Sequence, residues 1–281
     1  MTARTDSTPS TVIVENSTLS EQKRKGEIFR NLHIRGNPIV LFNAWDAGSA
    51  KAVAAGGAKA IATSSWSVAD ANGFRDGEQM PFELAIDNLR RIVSAVDLPV
   101  TVDLESGYGD RPDAVGTSVR MAIKAGAAGC NLEDSFPANG DLRKASDQML
   151  RISCARQVAG EANVPFFINA RTDVFFQKPA EHHDNMMLEE AIERARSYFE
   201  AGADGLFVPG VVDIDLISRL ADASALPLNV MIVDASPSVR ELAQQGVARI
   251  SYGPRPYLLA MKAVEEAARG HNFRIARIRP E

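Results

Sequence analysis

Leu98-Pro99-Val100-Thr101-Val102-Asp103-Leu104-Glu105-Ser106-Gly107-Tyr108-Gly109-Asp110 carries an apolar, β-branched run that ends in two acids and a Gly-x-Gly turn. The X-Pro step keeps the chain extended, the branched residues suit a strand, and the acids arrive where the strand gives out. On an extended backbone Asp103 and Glu105 project to the same side. Two carboxylates converging on one spot need neutralising, most simply by a divalent cation. The alternative is a strand end that runs into a solvated acidic turn.

The same opening recurs along the chain. X-Pro steps introduce apolar runs at Asn37-Pro38-Ile39, Leu98-Pro99-Val100, Val164-Pro165-Phe166 and Leu226-Pro227-Leu228. Between them, glycines at helix ends introduce further runs: Gly56-Gly57 before Ala60-Ile61, Ala125-Gly126-Ala127 before Cys130, Ala201-Gly202-Ala203 before Leu206, and Gln245-Gly246-Val247 before Arg249. Four of each kind make eight strands, and helical patterns at 46–55, 82–96, 115–124, 148–160, 188–201, 213–223 and 239–245 fall between them. Ser64-Ser65-Trp66 is followed by a polar loop with Asn72-Gly73 and Asp76-Gly77. Eight βα units in one chain argue for an α/β protein built as a closed, parallel (β/α)8 barrel of the TIM type. A preceding helix is expected to start near Ser20 and to run through Ile28, Phe29 and Leu32. Residues 1–20, rich in Ser and Thr, read as a disordered tail, and 21–281 as one barrel domain with a C-terminal helix and tail.

Composition narrows the function classes. The 281 residues are 45% hydrophobic and 24% charged with a net charge of -5, an ordinary globular balance without the basic footprint of a nucleic-acid binder. No apolar run approaches the roughly 20 residues that span a bilayer, and neither a signal peptide nor an Arg-rich transit helix is recognisable. The two cysteines, Cys130 and Cys154, form no metal-binding spacing and read as packing residues in a reducing cytoplasm.

In barrels of this kind the chemistry sits where strands end and βα loops begin. Those positions here are Asn43-Ala-Trp45-Asp46, Ser64-Ser65-Trp66, Asp103 with Glu105, Glu133-Asp134, Asn169-Ala-Arg171-Thr-Asp173, Pro209-Gly210, Asp234 and Tyr252-Gly-Pro-Arg255. Asp103, Glu105 and Glu133, with no thiolate or imidazole beside them, make a hard oxygen site suited to Mg²⁺, with Mn²⁺ as a substitute. Arg171 offers a planar fork to a substrate carboxylate, or else a structural ion pair with Asp134 or Asp173. The serine pair reads either as an oxyanion-binding turn or as a plain polar one, and Trp45 either as a pocket wall or as core. His182 and His183 fall in a polar stretch that reads as a solvated loop, and His33 and His271 lie away from the strand ends.

Taken together, Trp45-Asp-Ala, Thr63-Ser-Ser-Trp-Ser-Val with Gly73-Phe-Arg-Asp76 behind it, Asp103-Leu-Glu-Ser-Gly-Tyr-Gly109, Asn131-Leu-Glu-Asp134 and Ile168-Asn-Ala-Arg171 resemble the isocitrate lyase/phosphoenolpyruvate mutase superfamily from Ile39 to Tyr257. The resemblance implies a (β/α)8 barrel and a magnesium ion held, largely through water, by Asp103, Glu105 and Glu133. It implies that Ser64, Ser65, Trp66 and Arg171 grip a 2-oxo or 2-hydroxy carboxylate, with Trp45 at the pocket wall and Asp76 an acid beside the metal. It further implies a homotetramer in which neighbours exchange the last barrel helix, here 256–269.

Two positions depart from the superfamily. Its C–C lyases carry a cysteine-and-histidine motif on the loop after strand four, whereas 135–145 here reads Ser-Phe-Pro-Ala-Asn-Gly-Asp-Leu-Arg-Lys-Ala. Its mutases place a histidine after strand six, where this chain has Pro209. The leading expectation is a magnesium-dependent lyase that breaks a C–C bond next to a small 2-oxo or 2-hydroxy carboxylate through an enolate. The alternatives are a P–C enzyme, either a phosphonomutase such as carboxyvinyl-carboxyphosphonate phosphorylmutase or a phosphonopyruvate hydrolase, with Asn139 as loop helper, and a ligand-binding barrel without turnover.

Overall fold

Strands and helices alternate in the computed structural model, which describes residues 10–270. Eight strands, β1 (Ile39–Leu41), β2 (Ile61–Ala62), β3 (Val100–Asp103), β4 (Gly129–Glu133), β5 (Phe167–Arg171), β6 (Gly205–Phe207), β7 (Leu228–Met231) and β8 (Arg249–Ser251), form one parallel sheet in the order β1-β8-β7-β6-β5-β4-β3-β2. The two ends of that order meet just beyond β1 and β2. There Ala44 N–H donates to the Ala62 carbonyl at 2.8 Å and Ser64 N–H to the Ala44 carbonyl at 3.3 Å. The sheet is thus a nearly closed TIM-type barrel, as the alternating strand openings predict.

Between strands run α2 (Ala47–Ala55), α3 (Ser65–Ala71), α4 (Phe82–Ala95), α5 (Pro112–Lys124), α6 (Ala145–Glu161), α7 (Asn185–Glu200), α8 (Ile214–Ala223) and α9 (Val239–Gln244). Local chemistry sets their starts. Asp46 and Ser49 form a reciprocal capping box at α2, Ser238 and Glu241 do so at α9, and Asp184 accepts from Met187 N–H at α7. Outward strand residues such as Val102, Cys130, Leu132, Ile168 and Ile250 pack against Ile86, Leu89, Val119, Ile152 and Leu220 of the helices, each large aliphatic side chain contributing about 1.5–3 kcal/mol. Burial pushes the Cys130 thiol up to about 12, so it is a packing residue, as is Cys154 on α6. Inward residues are polar over most of the barrel's height. Asn169 donates to Asn131 at 2.9 Å, Arg249 to the same oxygen at 3.2 Å, and Ser251 to Asn229 at 3.2 Å.

The amino-terminal mouth is closed by a helix. In α1 (Ser10–Asn31), Gly26 lies so close to β5 that a Cβ there would stand 2.5 Å from the Pro165 carbonyl oxygen. Phe29 enters the barrel mouth among Ile39, Leu41, Ala60, Ala62 and Phe167, and His33 stacks on Phe167 with 4.0 Å between ring centroids.

Two elements differ from the sequence reading. α1 starts at Ser10, not near Ser20, so the expected tail is helical over 10–20; neither Gly nor Pro interrupts the chain between Pro9 and Gly26. Residues 1–9 and 271–281, with His271, lie outside the described residues. α3 occupies the segment expected as turn and loop, because Ser64 accepts from Ser67 N–H and caps it. The last helix, α10 (Arg255–Gly270), buries only Pro256 and Tyr257 and exposes Leu258, Leu259, Met261 and Val264. Beside it an apolar groove of about 600 Å³ opens between β1 and α2, lined by Val40, Phe42, Trp45, Val53 and Ala260.

Candidate active site

The carboxyl ends of the strands enclose a cavity of about 180 Å³. Its polar side is built from Asn43, Ser64, Ser65, Asp76, Asp103, Asn131, Arg171 and Ser251, and its apolar side from Trp66, Phe176, Phe207 and Met231. Asp103 is held from three elements. Its N–H donates to Thr63 Oγ1 at 2.9 Å, and its carboxylate accepts from Ser65 N–H at 3.2 Å and Asn131 Nδ2 at 3.4 Å. The first turn of α3 thus lies against this acid, and the Ser65 N–H it donates favours negative charge there.

Glu105 is 4% exposed and sits at φ 51°, a left-handed conformation that a residue with a Cβ adopts only when its surroundings hold it there. What holds it is its own carboxylate, which accepts from Gly77 N–H at 2.8 Å, Glu78 N–H at 2.5 Å and Tyr108 Oη at 3.0 Å. Burial, with Asp76 and Asp103 nearby, pushes its carboxyl up to about 7. Burial also lifts Glu133 well above the carboxylate range, against the opposing pull of Arg171. Loss of hydration and the neighbouring Asp103 raise Asp76, which the Ser65 side chain hydrogen-bonds. Arg171 is poised between acids: Nη1 lies 2.7 Å from Glu133, while Nε and Nη2 reach Asp173 at 2.6 and 3.1 Å. Asp134 is not its partner, being fully buried and held by Arg194 at 3.1 Å, Tyr198 Oη at 2.6 Å and Asp173 N–H at 2.9 Å.

Among the described residues no three His, Cys, Asp or Glu side chains converge closely enough to wrap a metal ion directly. The donor chemistry nevertheless fits magnesium, which keeps several waters and takes one or two carboxylates. Asp103 faces the cavity, Glu105 borders a small adjoining space with it, and Glu133 stands behind, each acid raising the proton affinity of its neighbours. The donors are all oxygen, and like charges at this spacing call for a cation.

The structure brings Ser64, Ser65, Trp66, Asp76, Asp103 and Arg171 to one cavity and sets Glu105 and Glu133 against it. Two expected residues lie elsewhere. The Trp45 ring turns outward to the groove beside β1, edge-on to Tyr257 at 5.2 Å, because the capped start of α2 directs it away from the barrel axis. Asn139 sits on the exposed tip of the loop after β4, where its side chain bonds Asp141. In that loop Ser135 donates to Asp173 at 2.6 Å, Phe136 lies over the Arg143 guanidinium, and Gln177 donates to the Gly140 carbonyl at 3.0 Å. His183 is half-buried and packs edge-on to Phe175, so it is less solvated than the loop reading has it. Phe176, Phe207 and Met231 were not foreseen as site residues. Strand alternation from Gly205 and Asn229 was the signal that Phe207 and Met231 point inward.

The phosphoenolpyruvate phosphomutase family model matches residues 29–271. An uncharacterized protein of Mycobacterium tuberculosis is 36% identical over 242 residues, 86% of this chain and 87% of its own length. The 2-methylisocitrate lyase of Escherichia coli is 30% identical over 264 residues, covering 90% of this chain and 84% of the lyase. A crystal structure of a candidate phosphonomutase from Burkholderia cenocepacia superposes with a TM-score of 0.88 at 56% identity, over 89% of this chain and all of the other. Barrel, motifs and matches agree: the chain belongs to the phosphoenolpyruvate phosphomutase family, within the isocitrate lyase/phosphoenolpyruvate mutase superfamily of lyases and mutases.

Proposed function

We propose that the protein is a magnesium-dependent lyase that cleaves a C–C bond adjacent to a small 2-oxo or 2-hydroxy carboxylate through an enolate. From a 2-oxo acid the bonding pair stays on a pyruvate-like enolate and the other fragment departs as a carbonyl compound, whereas from a 2-hydroxy acid the hydroxyl carbon becomes the 2-oxo group and the pair leaves on the other fragment as its enolate. The observation that carries this reading is the placement of Asp103, Ser65 N–H and Arg171 on one cavity at the carboxyl ends of β3 and β5. Arg171 grips the carboxylate with the N–H groups it does not spend on Glu133 and Asp173. Ser64 and Ser65, at the start of α3, border the cavity and would meet the oxo oxygen, where negative charge grows as the bond breaks, by exchanging their present partners for it. Asp103, backed by Glu105 and Glu133, would hold magnesium, which when bound supplies Lewis-acid stabilisation of that charge. Asp76, at the edge of the cavity and bonded to the Ser65 side chain, is the acid placed to exchange a proton with the product.

The test is a panel of 2-oxo acids, 2-hydroxy diacids and phosphonopyruvate, assayed for pyruvate and for phosphate with magnesium and with EDTA. Pyruvate release that EDTA abolishes supports the lyase. Phosphate release would favour the second reading, a P–C enzyme, for which the loop without cysteine or histidine speaks. Full turnover after metal removal, or unchanged metal affinity in Asp103→Ala, would defeat the magnesium reading. We propose too that α10 is exchanged between subunits of a homotetramer, since its apolar face and the groove beside β1 are both open in the single chain.

A further inference from the structure

The cavity is divided. Its floor is polar, but the side formed by the ends of β6 and β7 is not. Phe207 is the last residue of β6 and 4% exposed, Met231 is the last of β7, and Phe176 comes from the turn after β5. Phe176 seats on Gly210, where a Cβ would stand 2.8 Å from its ring, and Trp66 of α3 stands at the rim of the same cavity. The rings of Phe176 and Phe207 flank the Arg171 guanidinium at 5.5 and 5.8 Å, so the arginine's own surroundings on that side are aromatic.

Charge points the same way. Among the described residues that line the cavity, Arg171 is the one cation, and it is already shared by Glu133 and Asp173. Arg249 lies beneath the floor against Asn131, Arg111 and Arg255 are paired with Asp113 and Asp234, and exposed Arg75 is outside the lining. One substrate carboxylate can be met by Arg171 and a cation at Asp103. A second anionic group, directed toward β6 and β7, would be buried against aromatic rings and a thioether with nothing to pair it, which is costly.

From this we infer that the site takes a substrate with a single carboxylate: a 2-oxo monoacid whose remaining part is uncharged and, beyond the C4 hydroxyl that loses its proton and becomes the carbonyl of the departing aldehyde or ketone, apolar, seated on Phe176, Phe207 and Met231. The inference rests on the proposed carboxylate site and names the substrate class for it. Dicarboxylates and phosphonates are disfavoured by the same wall.

The test is competition against labelled oxalate in the presence of magnesium, with two ligands matched in shape: 2-oxoglutarate, and 5-methyl-2-oxohexanoate, in which an isopropyl group replaces the distal carboxylate. The branched monoacid is expected to compete at least tenfold better, and Met231→Lys should reverse that order. Oxalate binding normally while 2-oxoglutarate competes equally or better in the wild type would overturn the inference and leave the carboxylate site standing. Absence of magnesium-dependent oxalate binding would remove the site itself, and the inference with it. The wild-type comparison holds whether or not the variant folds.

Discussion

Arg171 shows how one side chain serves the fold and the ligand at once. Its three nitrogens engage Glu133 and Asp173, so the planar fork is fixed before any substrate arrives, and a substrate carboxylate meets a guanidinium that needs no further ordering. Lysine retains the charge but not the fork. Arg171→Lys is therefore expected to weaken oxalate by about 10- to 100-fold, the equivalent of one lost charge-assisted hydrogen bond; equal oxalate affinity in a titration would show that the arginine is only structural. His33 supplies the pH-dependent case. It is wedged between Phe29 and Phe167, with Nδ1 2.8 Å from the Phe29 carbonyl, and burial, then the charge of Arg249, lowers it to about 3. The unfolded chain takes up this proton near pH 6.5 and the folded one does not, so its contribution is intact above that pH and is lost as the pH falls toward 3. Between pH 7 and pH 5 the wild type should lose about 2 kcal/mol more than His33→Phe in urea unfolding. Parallel pH profiles for the two proteins would contradict this.

At the scale of elements, the loop from 135 to 145 separates this chain from the cysteine lyases. It is tied down by Ser135 to Asp173 and by Gln177 to the Gly140 carbonyl, yet it presents neither thiol nor imidazole to the cavity. Isocitrate and 2-methylisocitrate should be cleaved negligibly, and alkylation under native conditions should leave turnover intact, because Cys130 is buried in β4 and Cys154 lies on α6. Robust isocitrate cleavage, or inactivation prevented by substrate, would mean that another group or a displaced thiol carries the proton. The elements also mark how far the sequence can be read. Eight strands are legible because X-Pro steps and glycines at helix ends announce them, and the acids of β3 and β4 stand out because they close apolar runs at the strand ends where a barrel carries its chemistry. α3 is too short, at seven residues, for helical periodicity to stand out from a polar turn. Phe207 and Met231 look like core in the sequence, since an aromatic or thioether side chain looks the same whether it faces a helix or a ligand. The direction of Trp45 is not legible either: it lies past the end of β1, next to the Asp46 cap of α2, where strand alternation no longer applies, and its ring stands against Tyr257.

For the whole molecule, the exposed apolar surface gathers at the last helix and the strand beside it. In a complete eight-fold barrel every strand is covered on its outer face, but here Val40 and Phe42 of the β1 region are 39% and 40% exposed while Leu259 and Val264 of α10 are 59% and 62% exposed. Two such surfaces on one chain amount to a self-complementary pair, the usual basis of a symmetric assembly. The full chain is expected to run as a tetramer in light scattering, and Leu259→Asp with Val264→Asp should shift it to smaller species. A wild type that is monomeric at micromolar concentration would end the exchange proposal.

The closure of the barrel floor by Phe29, 0% exposed, and Phe167, 1% exposed, bears on kinetics. The described residues leave the reaction chamber open at one end, so traffic in and out shares a single doorway and two fragments cannot leave by separate routes. Arg171 and Phe207 stand at the same height in the barrel, so the two fragments lie side by side, one held by charged groups and the other by an apolar wall. The weakly held fragment is expected to leave first and the 2-oxo acid last. In product-inhibition experiments the 2-oxo acid should be competitive against substrate and the apolar fragment noncompetitive; the opposite pattern would mean that the acid escapes first.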